Sequence, residues 1–198
     1  MKKRLRIEYF LVAAVMLLLF VGSIAATNFF FQKEMVAQQE TYLRRKNTLL
    51  TDQLPPSVFE KGQLTNQQQL LVTHALDDAE ERVTLLQKNG TVFFDSSQNE
   101  PLESHKKRPE IAAVLSGAAY GSALRKSKTL NKELLYVATP VLKSGEIVGI
   151  IRISEQTALF SKNIQSFRRY IIFTFGILFL LITLFIFLLL RQKNQPLV

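Results

Sequence analysis

The stretch that decides the fold of this chain is RVTLLQKNGTVFFD, residues 82–95. Two runs rich in β-branched, apolar and aromatic residues, Val83–Gln87 and Thr91–Asp95, flank the pair Asn89-Gly90. Such runs joined by Asn-Gly are typical of an antiparallel β-hairpin with a type I′ turn, because both central residues of that turn need positive φ. The stretch therefore predicts a hairpin and, with it, an antiparallel sheet.

The residues that follow the hairpin predict a short helix and three further strands. Proline suits the first turn of a helix and glycine its end, so Pro109–Gly117 is predicted as a helix of about two turns. Alternation then predicts strands over 122–126, 133–141 and 146–153. The last two strands are joined by a turn through Lys143-Ser144-Gly145. With the hairpin, these segments make an α+β domain.

Upstream of the hairpin the pattern is helical. Apolar pairs recur every seven residues, at Met35-Val36, Tyr42-Leu43 and Leu49-Leu50, and this spacing keeps one stripe on one side of a helix. The stripe either packs on its own domain or forms a dimer contact. Leu54-Pro55-Pro56 ends the helix, since a residue that precedes proline disfavours the helical conformation. A second helix is predicted over about 67–81.

Two long apolar stretches, Tyr9–Phe31 and Tyr170–Leu190, bracket this region. Each has roughly 20 residues without a charged side chain, enough for a helix to cross a hydrocarbon core of about 30 Å. The first is predicted to be an anchor rather than a cleaved signal peptide, because its apolar run continues past the small residues Ser23-Ile24-Ala25. The predicted order is a basic N-terminus, a first span, an outer domain, a second span and a linker, at residues 1–8, 9–31, 32–169, 170–190 and 191–198.

The positive charge of the chain lies largely beside the predicted spans. The formal net charge is +9, from 25 Lys and Arg against 16 Asp and Glu. The two ends carry one acidic residue, Glu8, and the basic residues Lys2, Lys3, Arg4, Arg6, Arg191 and Lys193. Because basic residues next to a span stay on the cytoplasmic side, both termini are predicted to be cytoplasmic and residues 32–169 extracytoplasmic. Charge placed in this way does not indicate a nucleic-acid partner. The chain has no cysteine, so the outer domain depends on its hydrophobic core.

Beyond Ser154 the chain again reads as a helix. The stretch from Ser154 to Leu190 contains no proline, and only Gly176 lowers its helix propensity. One continuous helix is therefore predicted to join the last strand to the second span, as a mechanical link.

Several of these segments resemble the sensor regions of bacterial two-component histidine kinases, particularly the phosphate-regulon type found in Gram-positive bacteria. The resemblance rests on residues 82–96, on His105 with Arg108-Pro109-Glu110-Ile111, and on residues 134–141 and 147–152. It implies a PAS-like extracytoplasmic domain of the Cache type, with a five-stranded antiparallel sheet, a long N-terminal helix and short helices over one sheet face. It also implies a homodimer in the plasma membrane of a bacterium.

Residues 191–198, with Pro196, resemble the opening of a HAMP linker. In that family the linker leads to a helix with the phosphorylated histidine and then to an ATP-binding domain. His74 and His105 both lie in the predicted outer domain, and no glycine-rich phosphate loop follows. No catalytic residue or cofactor is therefore predicted in this chain, and the parent protein is expected to be a sensor histidine kinase that is cut here at the start of its linker.

A ligand site is predicted on the sheet face, built mainly from the segment that follows the hairpin. Cationic and hydroxyl side chains can bind a carboxylate or a phosphate, arginine as a bidentate donor. The candidate ligand-binding residues are Asp95, Ser96, His105, Arg108, Arg125 and Tyr136. The alternative is that Asp95 and Arg108 pair only to hold a loop, and that aromatic residues such as Tyr136 belong to the core. No metal site is predicted, because His105, Asp95 and Glu103 lack a ligand-spacing motif.

These observations predict a membrane-bound signal receptor, the sensing and transmembrane portion of a two-component histidine kinase. One alternative is a stand-alone membrane protein that modulates a partner kinase through mixed dimers. Another is the sensor part of a chemoreceptor or of a cyclic-dinucleotide enzyme. An extracytoplasmic enzyme is not predicted, because the chain shows no nucleophile with a base and an orienting group. The sequence leaves open whether this receptor senses a ligand or a partner protein, and which one.

Overall fold

The structure is a computed structural model that describes residues 2–76, 81–98, 103–127 and 131–193. Within these ranges, side chains are described except at residues 2–6, 8, 9, 158–168, 189–191 and 193. The helices are α1 (Lys2–Gln53), α2 (Pro56–Lys61), α3 (Asn66–His74), α4 (Pro109–Leu115) and α5 (Thr157–Lys193). The strands are β1 (Arg82–Gln87), β2 (Val92–Asp95), β3 (Gly121–Lys126), β4 (Glu133–Lys143) and β5 (Glu146–Gln156).

The five strands form one antiparallel sheet in the order β2-β1-β5-β4-β3. The predicted five-stranded antiparallel sheet with a long N-terminal helix is therefore confirmed. The last strand, β5, lies between β1 and β4, and this pairing sets Thr84 opposite Arg152. Residues 68 positions apart in the chain are thereby neighbours on one face of the sheet.

The two hairpin turns have different geometries. At the β1–β2 turn only Gly90 has positive φ, and Gly90 N–H donates to the carbonyl of Gln87. This is a three-residue loop, a type I turn closed by a left-handed glycine, so the predicted type I′ turn at Asn89-Gly90 is wrong. Ser144 and Gly145, which join β4 to β5, both have positive φ, as a two-residue I′ turn requires.

Helix boundaries differ from the predictions where the chain has no proline or glycine to mark them. The second predicted helix, over 67–81, begins at Asn66 behind a capping box made by Thr65 and Gln68, but ends at His74. Residues 77–80 of that prediction lie outside the described residues. The helix predicted from Ser154 starts only at Thr157, because β5 continues to Gln156 in its pairing with β4. By contrast, α1 ends at Gln53, just before Leu54-Pro55-Pro56, as predicted.

One face of the sheet packs against helices α1, α2 and α3. The second residue of each apolar pair on α1 points inward, so Leu43 and Leu50 are buried and Val36 is partly buried. The first residues, Tyr42 and Leu49, are exposed. The interpretation that the stripe packs on its own domain is thus correct for half of each pair. The rest of this core is Leu54, Val58, Phe59, Val72, Val83, Leu85, Leu135, Val137, Val141, Ile151 and Ile153.

The opposite face of the sheet is covered by α4. Ile111 and Val114 of α4 pack on Leu86, Ala138 and Ile150 of the central strands. Gly121 makes this close packing possible, because a Cβ at that position would lie 2.1 Å from the carbonyl oxygen of Glu110. The helix backbone therefore rests directly on β3.

The chain divides into two compact units, residues 1–34 with 161–198 and residues 35–160. The second unit contains the sheet. Two helices are long and apolar enough to cross a membrane, Phe10–Gln53 and Arg169–Leu188, with mean hydropathies of 2.5 and 3.0 over their most apolar parts. Residues 194–198 of the predicted HAMP-like linker lie outside the described residues.

Candidate ligand site

Polar and charged side chains collect on the α4 face of the sheet, beside the apolar contacts of α4. Alternation along the strands brings them there, since every second side chain of a strand points to the same face. We call this set the polar cluster; it consists of Arg82, Thr84, Asp95, His105, Glu110, Arg125, Tyr136, Arg152 and Ser154. Burial of so many ionisable groups is costly unless they are paired. Their hydrogen-bond and ion-pair partners therefore show which charges are satisfied and which could bind a ligand.

Glu110 of α4 lies between two arginines of the sheet. Its carboxylate is fully buried and accepts from Arg125 Nη2 at 2.8 Å and from Arg152 Nη1 at 3.3 Å. Arg125 Nε approaches the second carboxylate oxygen at 3.5 Å. Burial raises the pKa of Glu110, but the hydrogen bond from Arg125 and the charges of both arginines outweigh it, so the pKa lies below the usual value. Glu110 is therefore an anion that two guanidinium groups hold in place.

Asp95 belongs to a second, more completely paired group. Arg82 Nε donates to both of its carboxylate oxygens, at 2.8 and 2.9 Å. The hydroxyl of Thr84 donates to Asp95 at 2.8 Å, and the backbone and side chain of Ser97 donate at 3.0 and 2.9 Å. Thr84 in turn accepts from Arg152 Nη2 at 2.9 Å, which links the two groups. Five hydrogen bonds fix Asp95 as a structural anchor of the cluster.

Tyr136 forms the floor between the two arginines that hold Glu110. The guanidinium carbon of Arg125 lies 3.7 Å from the centre of the Tyr136 ring, and that of Arg152 lies 5.1 Å from it. Such cation–π contacts stabilise each arginine by about 0.5–2 kcal/mol. Tyr136 is also buried, which confirms the interpretation that it belongs to the core. Its ring lies beside both arginines.

The polar cluster carries more positive than negative charge. Three guanidinium groups, of Arg82, Arg125 and Arg152, face two carboxylates, of Asp95 and Glu110. His105 adds no charge at neutral pH, because burial and the neighbouring arginines lower its pKa to about 4. Burial lowers the pKa of Arg152 to about 10, so it stays protonated.

Three buried polar atoms in the cluster have no hydrogen-bond partner among the described residues. They are Arg152 Nε, His105 Nδ1 and Ser154 Oγ. Arg152 is only 2 % exposed, and a buried cationic donor without an acceptor is expensive. Excess positive charge and an unpaired guanidinium N–H favour a small anion as the ligand.

The structure brings four of the six predicted site residues into the cluster, namely Asp95, His105, Arg125 and Tyr136. The hydroxyl of Ser96 instead accepts from the backbone N–H of Val83 and so closes the β1–β2 pairing. Arg108 is half-buried at the start of α4, where its charge contributes to the lowered pKa of His105. The predicted Asp95–Arg108 pair is wrong, because the cationic partner of the Asp95 carboxylate among the described residues is Arg82, on the adjacent strand.

Five members of the cluster are not among the predicted site residues, namely Arg82, Thr84, Glu110, Arg152 and Ser154. A signal for Arg152 was present, since a charged residue in the run Ile150-Ile151-Arg152-Ile153 lies on the same face of a strand as Ile150. Glu110 likewise shares a helix face with Val114. Charges at inward positions of apolar segments therefore mark this site better than the polar loop does.

Two surface grooves lie away from the polar cluster. One, of about 440 Å³, lies between α1 and α3 and is lined by Leu49, Leu50, Leu71, His74 and Ala75 among others. The other, of about 400 Å³, lies at the β1–β2 turn and is lined by Phe59, Gln87, Glu146 and Val148 among others. Neither contains a paired set of cations like that around Glu110.

Comparison with known protein families identifies the class of this domain. Residues 53–156 match the family model described as Single Cache-like. This range contains all five strands, α2 to α4 and the whole polar cluster. The chain therefore belongs to the Single Cache-like family of extracytoplasmic sensor domains, and the predicted Cache-type fold is confirmed. No curated protein matches the chain with significant similarity.

Solved structures with the same fold include sensor domains of two kinds of receptor. The sensor domain of the V. cholerae histidine kinase DctB superposes with a TM-score of 0.54 at 18 % identity, over 67 % of this chain and 54 % of that chain. The ligand-binding domain of the Campylobacter jejuni chemoreceptor Tlp3, in complex with 4-methylisoleucine, has a TM-score of 0.52 at 12 % identity, over 74 % and 60 %.

A third structure comes from another chemoreceptor. The ligand-binding domain of the Pseudomonas aeruginosa amino acid chemoreceptor PctC, in complex with GABA, has a TM-score of 0.50 at 12 % identity, over 69 % of this chain and 60 % of that chain. At these identities the likeness shows the fold alone. The chain spans little more than half the length of the DctB domain.

Proposed function

We propose that this protein is a membrane-bound receptor that senses a small extracytoplasmic anion in the polar cluster and passes the signal to a cytoplasmic histidine kinase module. The observation that carries the proposal is the net positive charge of a buried cluster in which Arg152 Nε has no acceptor among the residues that the structure describes. Arginine recognises carboxylate and phosphate through bidentate hydrogen bonds, and both classes of anion suit the cluster.

The proposed topology places the sheet domain outside the plasma membrane of a bacterium and both termini in the cytoplasm. The basic residues beside the two candidate spans support this orientation. Membership in a family of extracytoplasmic sensors supports it as well. The proposed domain limits are those of the sequence analysis, with the outer domain at residues 32–169.

A route from the cluster to α1 begins at Gly121. Its backbone touches Glu110, and the preceding residue, Tyr120, points to the other side of the sheet, where it packs against the core beside α1. The Tyr120 hydroxyl is hydrogen-bonded to Glu40 of α1, which raises its pKa, and Arg44 of α1 lies 4.9 Å from the ring centre. A shift of α4 therefore acts on α1, the helix that contains the first candidate span.

A second contact joins α1 to the end of β5. Gln39 donates a hydrogen bond to Glu155, two residues before α5 begins at Thr157. Both helices that contain candidate spans are thus connected to the sheet, α1 through Gln39 and α5 through the end of β5. A ligand shifts the equilibrium of such a receptor only through different affinity for its two states, and these contacts are where the states are expected to differ.

Binding is tested with the full chain in lipid nanodiscs. Acetate, succinate and inorganic phosphate are added at matched ionic strength, and thermal unfolding and calorimetry measure binding. An anion at 100 times its Kd stabilises the native state by about 2.7 kcal/mol. The Arg152→Met variant is expected to lose this stabilisation, whereas Lys143→Met, which changes an exposed cation, keeps it. If no anion stabilises the wild-type chain beyond the effect of sodium chloride, anion sensing is refuted.

Output is tested by joining the chain to the cytoplasmic half of a phosphate-regulon-type histidine kinase. Autophosphorylation that changes with the bound anion supports the kinase proposal. If an anion binds but the autophosphorylation rate does not change, the kinase proposal is refuted. The protein would then be a sensor of another output class, such as a chemoreceptor.

A further inference from the structure

Glu110 occupies the position in the polar cluster that a ligand carboxylate would take. Arg125 donates to both of its oxygens through Nη2 and Nε, which is the fork geometry by which an arginine binds a free carboxylate, and Arg152 Nη1 donates to one of the same oxygens. Among the described residues it is the carboxylate that contacts both of these arginines. Glu110 is also the acidic group of the cluster contributed by a helix rather than by the sheet.

We propose that Glu110 is a tethered competitor, an internal anion that occupies the arginine pair until an external anion displaces it. The inference rests on the proposed function, since it concerns the same site. It assigns to Glu110 the role of setting the ligand threshold and of reporting occupancy, because its displacement removes the polar attachment of α4 to the sheet.

The two carboxylates of the cluster differ in a way that makes Glu110 the exchangeable one. Asp95 accepts five hydrogen bonds from its own hairpin region, so its displacement would leave many donors without acceptors. Besides a hydrogen bond with its own backbone, the Glu110 carboxylate makes three contacts with two side chains, and both side chains belong to the sheet. An external carboxylate restores those three contacts.

The helix that carries Glu110 is short. It has seven residues, and its apolar anchors in the sheet core are Ile111 and Val114. Loss of the Glu110 contacts therefore removes the polar part of its attachment while the apolar part remains as a pivot. A displaced Glu110 moves α4 relative to Gly121 and hence to Tyr120, which faces α1.

The polar cluster also determines which class of external anion competes best with the Glu110 carboxylate for the two arginines. An anion that only replaces the Glu110 carboxylate gains nothing over the tethered group. Arg152 Nε and His105 Nδ1 have no partner among the described residues. An anion with more acceptor oxygens can in addition accept from Arg152 Nε, and from His105 in the tautomer that protonates Nδ1. Inorganic phosphate and the dicarboxylate succinate are therefore expected to bind more tightly than acetate.

Substitution of the competitor by a neutral isostere tests the inference. Glu110→Gln keeps the size of the side chain but removes the charge that competes for the arginines. In nanodiscs, the Kd of the full-length variant for phosphate or succinate is expected to fall by about tenfold or more, equivalent to about 1.4 kcal/mol. The matched control is Glu60→Gln, which removes the same charge from an exposed ion pair with Lys143 and should leave the Kd unchanged.

The inference and the proposed function fail in different ways. If the wild-type chain binds an anion and Glu110→Gln binds it no more tightly, the competitor role is overturned and the anion sensor stands. If neither protein binds acetate, succinate or phosphate, both proposals are overturned.

A measurement on the wild type covers the case in which the variant does not fold. Exchange of the backbone amide hydrogens of residues 110–115 should become faster when phosphate or succinate is bound, because Glu110 no longer holds α4. Exchange that is unchanged or slower with the anion bound contradicts displacement of Glu110.

Discussion

The contact between Gly121 and α4 provides a sharp test of how the fold builds the site. In the Gly121→Ala variant the new Cβ would lie 2.1 Å from the Glu110 carbonyl oxygen and 2.9 and 3.0 Å from two further backbone atoms of Glu110. A carbon–oxygen contact needs about 3.3 Å, so α4 has to retreat by about 1 Å. No flexible side chain can absorb this clash, because all three atoms belong to the backbone.

The cost of that retreat has two parts. Overpacking of a tight contact costs about 1–3 kcal/mol. A shift of about 1 Å lengthens the 2.8 Å contact between Arg125 and Glu110 beyond hydrogen-bond range, and a hydrogen bond to a charged group contributes about 1.5–3 kcal/mol. We therefore expect a loss of about 3 kcal/mol or more in the free energy of unfolding.

Thermal unfolding of the full chain in nanodiscs, followed by circular dichroism, measures this loss. For a domain of this size, about 3 kcal/mol lowers Tm by about 10 °C. The control is Ser122→Ala, the next residue along β3, whose side chain is exposed and whose loss should change stability by less than about 0.5 kcal/mol. A Gly121→Ala variant that melts within about 2 °C of the wild type would show that α4 does not rest on β3 as described.

Three further predictions concern pH, coupling and association. His105 is neutral in the native state with a pKa of about 4, against 6.5 in the unfolded chain. Its contribution to the free energy of unfolding is therefore complete above pH 6.5 and falls, by up to about 3 kcal/mol, as the pH drops to 4. His105→Gln should flatten this part of the curve of stability against pH, and identical curves for variant and wild type would contradict the lowered pKa of His105. Tyr120→Phe removes the hydrogen bond to Glu40 of α1 and should leave the Kd for the anion within about twofold. It should weaken the change in autophosphorylation that the anion causes in the chain joined to a kinase module. An unchanged autophosphorylation response excludes the route through Tyr120. The chain has no cysteine, and Leu49 is 60 % exposed on α1. If α1 lies at the proposed homodimer contact, a Leu49→Cys variant should form disulfide-linked dimers in membranes. The control Thr48→Cys, on a neighbouring face of α1, should not form them.

Local patterns in the sequence were sufficient to predict the elements of the sheet. The strands begin and end within a few residues of their predicted positions, because alternation, glycine and proline act over short distances. The end of α1 before Pro55 follows from the same kind of local constraint. Where such a mark was missing, as at His74, the predicted boundary was wrong.

The candidate site was only partly predictable from the sequence. His105 and Arg108 drew attention because they follow the hairpin in a polar segment, whereas the arginines that hold Glu110 come from β3 and β5. Arg152 reaches Glu110 across 42 positions of the chain. Such pairs depend on strand order and register, which no local pattern specifies.

The amino-acid sequence by itself determined two apolar helices, a five-stranded antiparallel sheet between them and a surplus of positive charge, because helix propensity, strand alternation and composition are local or additive properties. The tertiary structure decided which residue of each apolar pair on α1 faces the core, which strand lies beside β1, and which arginines share Glu110. These are properties of packing, since a buried charge is tolerated only where the fold supplies its partner. The site is therefore defined by partners that meet only in the folded sheet.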